Sequence, residues 1–458
     1  MLLTRELSAK QRAIGAQKLL RFVFLNGIGF NFIGETSVVL LAMQFNASNI
    51  QIGYLNSCFH ITGIIAILAP SILARARVIS VFYHAWTIRG FICILYVLTL
   101  FFSGQSAVMI ILVVFTVFNI FRTVGVAMLD AVNRSLVPPN ALGAYVARTN
   151  TQWLYSAMIA QTACFLLLSY KPLAGVAGLV LIQCIGTVFN TLGTRSVRDL
   201  PVRDRIPAAA GMNIFSTAIR VLKDKEMRIL FIIYSLNLTL FIMLAFTIPF
   251  LRKVVGLGSN IIFLYTIFMT LAALLASRII RPFTDRIGKK PILLITSGTG
   301  IFIALGWAFI PATARIPELF ALGAVTIFFS TMNGQTINAL MLRAMPSTDK
   351  ANYSFMVRFL SAIIALGAGF AAGLIADAGA HSHMLVHPFM LTFITAAFIY
   401  ILLFAISTRI TEHKSLSIMD SARFIITHFN PDDILDVRGI INTISQGMPW
   451  NSKRSRHR

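Results

Sequence analysis

Twelve long apolar runs lie between Leu20 and Ser407, and most have the length of one bilayer crossing. A spanning helix needs about 20 mostly apolar residues, because backbone groups without hydrogen-bond partners in hydrocarbon each cost several kcal/mol. Only helices and closed barrels satisfy those groups. The sequence therefore predicts an all-α membrane protein, and its function has to be inferred from the polar residues inside the apolar runs.

The predicted transmembrane helices fall in two groups of six. They are placed at 20–43, 51–73, 80–102, 107–130, 146–168, 173–192, 228–250, 260–280, 290–311, 317–341, 354–376 and 386–408. The long interior connection separates the groups and contains a segment with the spacing of an interfacial amphipathic helix, although a solvated connector is the alternative. The predicted domains are an N-terminal bundle, a central cytoplasmic loop, a C-terminal bundle and a cytoplasmic tail, at 1–192, 193–227, 228–410 and 411–458.

The composition excludes a soluble protein, since 57% of the residues are hydrophobic and only 12% are charged. A net charge of +23 would indicate binding to nucleic acid in a soluble chain, but here the positions of the basic residues along the sequence matter more. The basic residues cluster in alternate connections, and the others hold only Lys171, Arg252, Lys253 and Arg315. This bias predicts two cytoplasmic termini in a cell membrane, the inner membrane in a prokaryote, and no nucleic-acid partner.

No pattern in the chain indicates catalysis, a metal or a cofactor. The four cysteines lie in apolar runs without metal or disulfide spacing, at Cys58, Cys93, Cys164 and Cys184. A phosphate-binding glycine loop and a clustered acid/base pair are also missing. The first 20 residues do not resemble a cleaved signal peptide. We expect a non-enzymatic protein without cofactors, and the oligomeric state stays open.

The connection after the eighth predicted span reads Arg281-Pro-Phe-Thr-Asp285-Arg286-Ile-Gly288-Lys289-Lys290. It is similar to the signature G-x-x-x-D-R-x-G-R/K-R/K of the major facilitator superfamily, with Arg281 in place of the first glycine. The copy near 71–77 keeps only two basic residues, and 136–144 resembles the family's L-V-P-P-E-E-R-G-R loop without its arginines. The resemblance implies two six-helix halves that rock about a midplane site.

In that family resemblance, the motif after the eighth span is a gate. The Asp285 carboxylate can hydrogen-bond an adjacent helix N-terminus, while the basic side chains bind carboxylates or lipid headgroups on the inner face. The gating residues implied are Asp285, Arg286, Gly288, Lys289 and Lys290. For Lys289 and Lys290 the alternative is that they only anchor the topology.

Glu35 is the deepest acidic residue in the chain, past the middle of the first predicted span. Charged groups at membrane depth cost at least about 2.5 kcal/mol, so they usually face a cavity and mark a transport path. At 100° per residue, Asn31 and Glu35 share a face with Gly27 and Gly34. We expect that face to border the solute cavity.

The fourth predicted span carries polar and charged residues on one face, which therefore cannot face lipid. They are Asn119, Arg122, Thr123, Asp130, Asn133 and Arg134. Our hypothesis is that Glu35 binds a proton and that Arg122 tunes its pKa, so that movement of the halves couples a proton gradient to solute movement. The alternative is a static ion pair of Glu35 with Arg122 or Arg89 that holds the bundle together.

Further polar residues are predicted to line the cavity or assist coupling. His60, in the second span, is a possible second proton site, although a single histidine is more often structural. Arg89 leaves the core basic unless Glu35 or Asp130 pairs with it, and an anionic solute could balance it. In the second half the cavity residues are Tyr234, Asn237, Tyr265, Thr331, Gln335 and Asn338, with contacts between helices as their alternative role.

These residues favour a secondary transporter that moves a small organic solute, with an anion as one option, by proton-coupled symport or antiport. Its partners would be the solute, protons and membrane lipids. A phenylalanine-rich interior, with 37 phenylalanines in the chain, leaves an exporter or flippase of amphipathic drugs or lipids as the alternative. A membrane sensor or scaffold without transport is the alternative of another class. Asp377 and His387, at the outer ends of the last two spans, are expected to be solvated.

Overall fold

The computed structural model describes residues 7–68, 71–72, 75–137, 142–200, 214–345, 350–382 and 386–412, and its regular elements there are all helical. In chain order the α-helices of ten residues or more are α1 (Ala9–Ile33), α2 (Glu35–Gln44), α3 (Asn49–Ile61), α4 (Val78–Ile92), α5 (Gly104–Leu136), α6 (Leu142–Ser169), α7 (Val176–Arg195), α8 (Ile214–Lys223), α9 (Lys225–Leu244), α10 (Ser259–Ile287), α11 (Lys289–Phe309), α12 (Ile316–Ala344), α13 (Lys350–Ala380) and α14 (Met390–Ser407).

Eleven helical segments within the described residues are long and apolar enough to cross a membrane. Two of them, α3 and α4, end in 3₁₀ turns at Thr62–Leu68 and Cys93–Leu100. The region predicted as a span at 146–168 forms α6, which is not among the eleven. The chain is a multi-pass helical membrane protein, and the count of twelve spans stays a prediction.

The chain forms two compact units. Within the described residues, the first contains α1, α2 and α4 to α7, and the second contains α3 and α8 to α14. In the first unit α1 packs against α6 and α7, and α4 packs against α5 and α7. Ser156 Oγ donates to the carbonyl oxygen of Phe24 at 2.9 Å and so ties α6 to α1.

In the second unit the pairs α3–α13, α11–α14 and α10–α12 pack together. The seam between α3 and α13 is built from small residues on both sides. A Cβ atom added to Gly369 would lie 2.7 Å from the carbonyl oxygen of Gly53, and one added to Gly373 would lie 2.5 Å from the Cα atom of Ile50. Such close backbone approach is typical of helix pairs packed within membranes.

The amphipathic segment of the central loop forms the helix α8. Its buried residues include Thr217 and Val221, while Ile219 and Leu222 are exposed. Helix α8 packs against α13, and the Arg220 guanidinium lies over the Tyr353 ring at 6.0 Å. The cytoplasmic tail predicted from 411 onward lies outside the described residues, apart from Thr411 and Glu412.

Candidate functional site

The first predicted span is not one helix, because α1 ends at Ile33 and α2 begins at Glu35. The break lies at Gly34, where a Cβ atom would lie 2.7 Å from the carbonyl oxygen of Phe30. The Ser37 hydroxyl donates to the carbonyl oxygens of Phe32 (2.6 Å) and Gly34 (2.9 Å), which satisfies acceptors freed by the break. The span predicted at 20–43 lies within a segment long and apolar enough to cross a membrane, but its helix is interrupted at Gly34.

The break is also tied to the sixth predicted span. Gln183 Nε2, on α7, donates to Ser37 Oγ at 3.0 Å, and both side chains are fully buried. An interrupted helix whose free backbone groups are met by polar side chains is tolerated within a membrane. The start of α2 is therefore surrounded by hydrogen-bonded polar groups in the interior of the first unit.

Glu35 is the first residue of α2, so its carboxyl group lies where the helix dipole favours negative charge. Among the described residues, Arg122 on α5 lies close enough to Glu35 for an attractive electrostatic interaction. The Arg122 guanidinium lies over the Phe30 ring at 5.2 Å. The structure thus brings together two of the three residues to which the sequence assigned proton coupling, while the third, His60, belongs to the second unit. It also adds a helix N-terminus that the sequence did not indicate.

Two polar residues of the first unit, Asn31 and Asn119, donate to carbonyl oxygens of their own helices. Asn31 Nδ2 donates to the carbonyl oxygen of Gly27 at 2.8 Å. Asn119 is buried, and its Nδ2 donates to the carbonyl oxygen of Phe115 at 2.9 Å. The side chain of Asp130 lies outside the described residues.

Arg89 is fully buried in the first unit between α1, α4, α5 and α7. Its Nη2 donates to the side-chain oxygens of Asn26 at 2.8 Å and Asn190 at 2.9 Å. The guanidinium lies over the rings of Trp86 at 4.2 Å and Phe118 at 4.8 Å. Among the described residues it has no acidic partner within ion-pair distance, so amide oxygens and aromatic faces offset its charge there.

In the second unit the predicted proton site His60 is half-buried. Its ring lies 6.1 Å from that of Phe241 on α9, with an edge-on orientation. The structure places it among aromatic rings of the unit that also holds Tyr234 and Asn237.

The predicted cavity residues of the second unit have different surroundings. Asn237 Oδ1 accepts from Asn333 Nδ2 at 2.9 Å, and Gln335 Nε2 donates to Ser277 Oγ at 2.7 Å. Tyr265 is buried and contacts Phe320 with a 5.5 Å ring separation. Tyr234 and Thr331 are half-buried, and Asn338 is exposed.

Asn333 joins three helices of the second unit and was not predicted. Besides the bond to Asn237, its Oδ1 accepts from Thr296 Oγ1 on α11 at 3.0 Å. The sequence signal available was only a polar residue in an apolar run, on a different face of α12 from Thr331 and Gln335. Both Asn333 and Thr296 are buried, so these hydrogen bonds stabilise the packing of α9, α11 and α12.

Gly288 separates α10 from α11 with φ +97°, a backbone conformation that only glycine adopts readily. The N-terminus of α11 that follows is capped by a residue absent from the predicted motif. Glu412 Oε2 accepts from the backbone nitrogens of Lys289 and Lys290, both at 2.9 Å. Lys290 Nζ in turn donates to the carbonyl oxygens of Thr408 and Ile410. The side chains of Asp285 and Arg286 lie outside the described residues.

A second unpredicted network lies at the opposite ends of the helices of the second unit. Lys253 Nζ donates to Asn49 Oδ1 at 3.0 Å, and Asn49 Nδ2 donates to Asp377 Oδ1 at 2.9 Å. Asp377 was expected to be solvated, but it is half-buried and hydrogen-bonded to Asn49 on α3. His387 is also not solvated as expected, since it is 3% exposed.

Comparison with known proteins identifies the fold. No protein-family model and no curated protein matches the sequence. Among solved structures, a variant of the nucleoside transporter NupG matches with a TM-score of 0.67 and 14% identity, over 87% of this chain and all of that chain. The D-xylose-proton symporter matches with a TM-score of 0.61 and 15% identity, over 85% and 96% of the two chains.

A bacterial homologue of the iron transporter ferroportin in its inward-facing state also matches, with a TM-score of 0.61 and 14% identity over 88% and 99% of the chains. These neighbours have the major facilitator fold, which this chain therefore shares. Because the sequence identity is so low, this likeness establishes the fold alone.

Proposed function

Because the chain has a fold that nucleoside, xylose and iron transporters share, we propose that it is a membrane transporter of the major facilitator superfamily that moves a small organic solute by alternating access. The observation that carries the proposal is the broken first span. It places the Glu35 carboxyl group at the start of α2, within the electrostatic reach of Arg122. An ionisable carboxyl group beside a guanidinium is costly to keep at membrane depth, and such groups usually serve a function.

In the proposed mechanism Glu35 carries the coupling proton. A carboxyl group near a cation favours its charged form, whereas removal of water favours the neutral acid. If α2 moves relative to α5 between two states, the balance at Glu35 changes, and the group binds a proton in one state and releases it in the other. Coupling requires only this difference in affinity between states.

Two features of the second unit support alternating access. The seam between α3 and α13 allows close contact with few interlocking side chains, because Gly53, Gly369 and Gly373 line it. At one end the seam is held by the Lys253–Asn49–Asp377 network, in which Lys253 Nζ also donates to the carbonyl oxygen of Ala47 at 3.3 Å. In the proposed cycle α3 parts from α13 when these bonds break, which admits the solute from that side.

The test is solute uptake into proteoliposomes with an imposed pH gradient, using nucleosides, pentoses and small carboxylates as the panel. We expect wild type to accumulate one class of solute only when the gradient is present. Glu35→Gln should abolish gradient-driven accumulation while solute exchange continues. Glu318→Gln is the matched control, because Glu318 also lies in the first turn of a helix but caps it at an exposed position.

The outcomes separate coupling from transport. Equal accumulation by wild type and Glu35→Gln would remove the proton-coupling role. Absence of uptake and exchange for the whole panel, with the protein folded, would contradict the proposed solute class. An unchanged Glu318→Gln variant shows that loss of a carboxylate elsewhere does not impair the protein.

A further inference from the structure

Two adjoining cavities lie at one end of the second unit, beside the start of α9 and the end of α14. The larger, about 450 Å³, reaches α12, and the smaller, about 350 Å³, lies between α9 and α14. They share Lys225, Ile229 and Arg409, so they form one continuous depression. None of these residues belongs to the proposed transport path.

The smaller cavity is lined by three cations, Lys225, Arg228 and Arg409, and by no acidic residue. All three side chains are exposed. Arg228 Nη1 donates to the carbonyl oxygen of Leu222 at 3.1 Å, while the side chains of Lys225 and Arg409 form no hydrogen bond or ion pair with any described residue. Three clustered cations with no carboxylate in the cavity that all three line attract a multivalent anion.

The larger cavity contains two carboxylates, Glu226 and Glu412, but one of them is already engaged. Glu412 caps α11 and lies 3.9 Å from Arg343 Nη1. Its charge is therefore shared with a helix N-terminus and a further arginine. With Glu226 also counted, the depression keeps a positive excess, because Lys225, Arg228, Arg343 and Arg409 face only the two carboxylates.

The remaining lining of the smaller cavity is apolar. Ile229 and Ile232 follow Lys225 by about one and two helical turns on the same face of α9, and Ile406 precedes Arg409 by one turn on α14. Ile232 is 39% exposed. The groove thus runs from cations at the helix ends to isoleucines deeper along the membrane-spanning helices.

We propose that this groove binds an anionic phospholipid, with its phosphate held by Lys225, Arg228 and Arg409 and its acyl chains lying along Ile229, Ile232 and Ile406. Basic pockets between transmembrane helices at the cytoplasmic side suit such headgroups. A soluble phosphate compound would use the same cations, but it would gain nothing from the isoleucines. The combination of charge and apolar lining favours the lipid.

The test compares lipid binding to the delipidated full-length protein by native mass spectrometry. Phosphatidylglycerol and phosphatidylcholine with the same acyl chains are titrated, and sn-glycerol 3-phosphate serves as the soluble phosphate probe. We expect one phosphatidylglycerol to bind tightly to wild type. The triple variant Lys225→Gln, Arg228→Gln and Arg409→Gln should weaken that binding about a hundredfold, since each basic residue contributes roughly fivefold.

The matched control removes the same charge elsewhere, by Lys10→Gln, Arg195→Gln and Arg198→Gln, which are exposed residues of the first unit. It should bind as wild type does. Ile232→Ser should weaken phosphatidylglycerol binding but leave any binding of glycerol phosphate unchanged. If the triple variant does not fold, Arg409→Gln alone should still weaken binding severalfold.

Three results would overturn the proposal. Equal phosphatidylglycerol binding by the triple variant and its charge-matched control would show that only overall charge matters. Equal affinity for phosphatidylcholine would exclude recognition of an anionic headgroup. Binding of glycerol phosphate as tight as that of phosphatidylglycerol, with no effect of Ile232→Ser, would identify a soluble phosphate site instead.

Discussion

The Arg89 guanidinium donates a 2.9 Å hydrogen bond to the Asn190 side-chain oxygen, and this bond joins α4 to α7 inside the first unit. The same amide donates to the carbonyl oxygen of Trp86 at 2.8 Å. Gly90 makes the approach possible, because a Cβ atom there would collide with the amide nitrogen of Asn190. A buried cation is thus held by an amide rather than by a carboxylate.

Asn190→Ala should therefore lower the free energy of unfolding by about 3 kcal/mol, because Arg89 would stay buried with a hydrogen-bond acceptor missing. Thermal denaturation of the purified protein in detergent measures the effect. Asn31→Ala is the control, since Asn31 donates only within its own helix and should cost much less. Equal decreases in stability in the two variants would show that the hydrogen bond between Arg89 and Asn190 makes no special contribution to the free energy of unfolding.

Gly288 provides a second prediction, on the connection between α10 and α11. With φ +97° and ψ 164°, it occupies a region that is nearly restricted to glycine. Gly288→Ala should destabilise the protein by about 1 to 3 kcal/mol. Gly175→Ala is the matched control, because Gly175 also precedes a helix, has φ −109° and has no atom within 4 Å of an added Cβ atom.

The measurement is the midpoint of thermal unfolding for both variants under the same conditions. If Gly288→Ala is as stable as Gly175→Ala, the backbone conformation assigned to Gly288 is wrong. The glycine of the predicted signature would then need another explanation than its positive φ.

The α3–α13 seam gives a third prediction. Gly369→Ala should destabilise the second unit, since its methyl group would overlap Ser57 and the backbone of Gly53. Overpacking of this kind costs about 1 to 3 kcal/mol. Gly367→Ala, two residues earlier on α13, is the control because nothing lies within 4 Å of an added Cβ atom.

The readouts are thermal unfolding and solute uptake in proteoliposomes. Gly367→Ala should match or exceed wild-type stability, since alanine favours a helix over glycine by about 1 kcal/mol. Gly369→Ala should also lose uptake, because α3 can no longer close on α13. Normal stability and uptake in Gly369→Ala would contradict both the seam and its proposed movement.

The sequence predicted features that depend on periodicity within one segment. The apolar runs indicated the helices. Helical spacing also put Asn31 and Glu35 on one face, but the two residues lie in different helices, α1 and α2. The break at Gly34 could not be predicted, because it depends on Ser37 and Gln183 meeting across two helices. A glycine in an apolar run is not by itself a helix end.

Features that join distant segments were missed for the same reason. Glu412 caps α11 from 122 residues away, and Asn333 meets Asn237 from 96 residues away. Which helices become neighbours is not encoded in local spacing. The motif Asp285–Lys290 therefore indicated where a gate could lie, while the residue that contacts its backbone was found only in the structure.

His387 lies just before α14, and the sequence placed it in solvent, which is wrong. Its Nδ1 accepts from the backbone nitrogen of Phe389 at 3.2 Å, so the proton is on Nε2, which donates to the carbonyl oxygen of Trp307 at 2.9 Å. The ring is packed against Phe250 at 4.7 Å and Phe393 at 6.0 Å. Burial among these rings lowers the pKa of His387 below its ordinary value of 6.5.

This environment predicts a pH dependence of stability. The unfolded chain takes up a proton at His387 near pH 6.5, whereas the folded chain does so only at lower pH. The free energy of unfolding is therefore highest above pH 6.5 and decreases as the pH falls below that value. Thermal unfolding at pH 7.5 and pH 5.5 should show a larger decrease in wild type than in His387→Gln. His381→Gln, which changes an exposed histidine, should keep the wild-type decrease, and an equal decrease in all three proteins would refute the assignment.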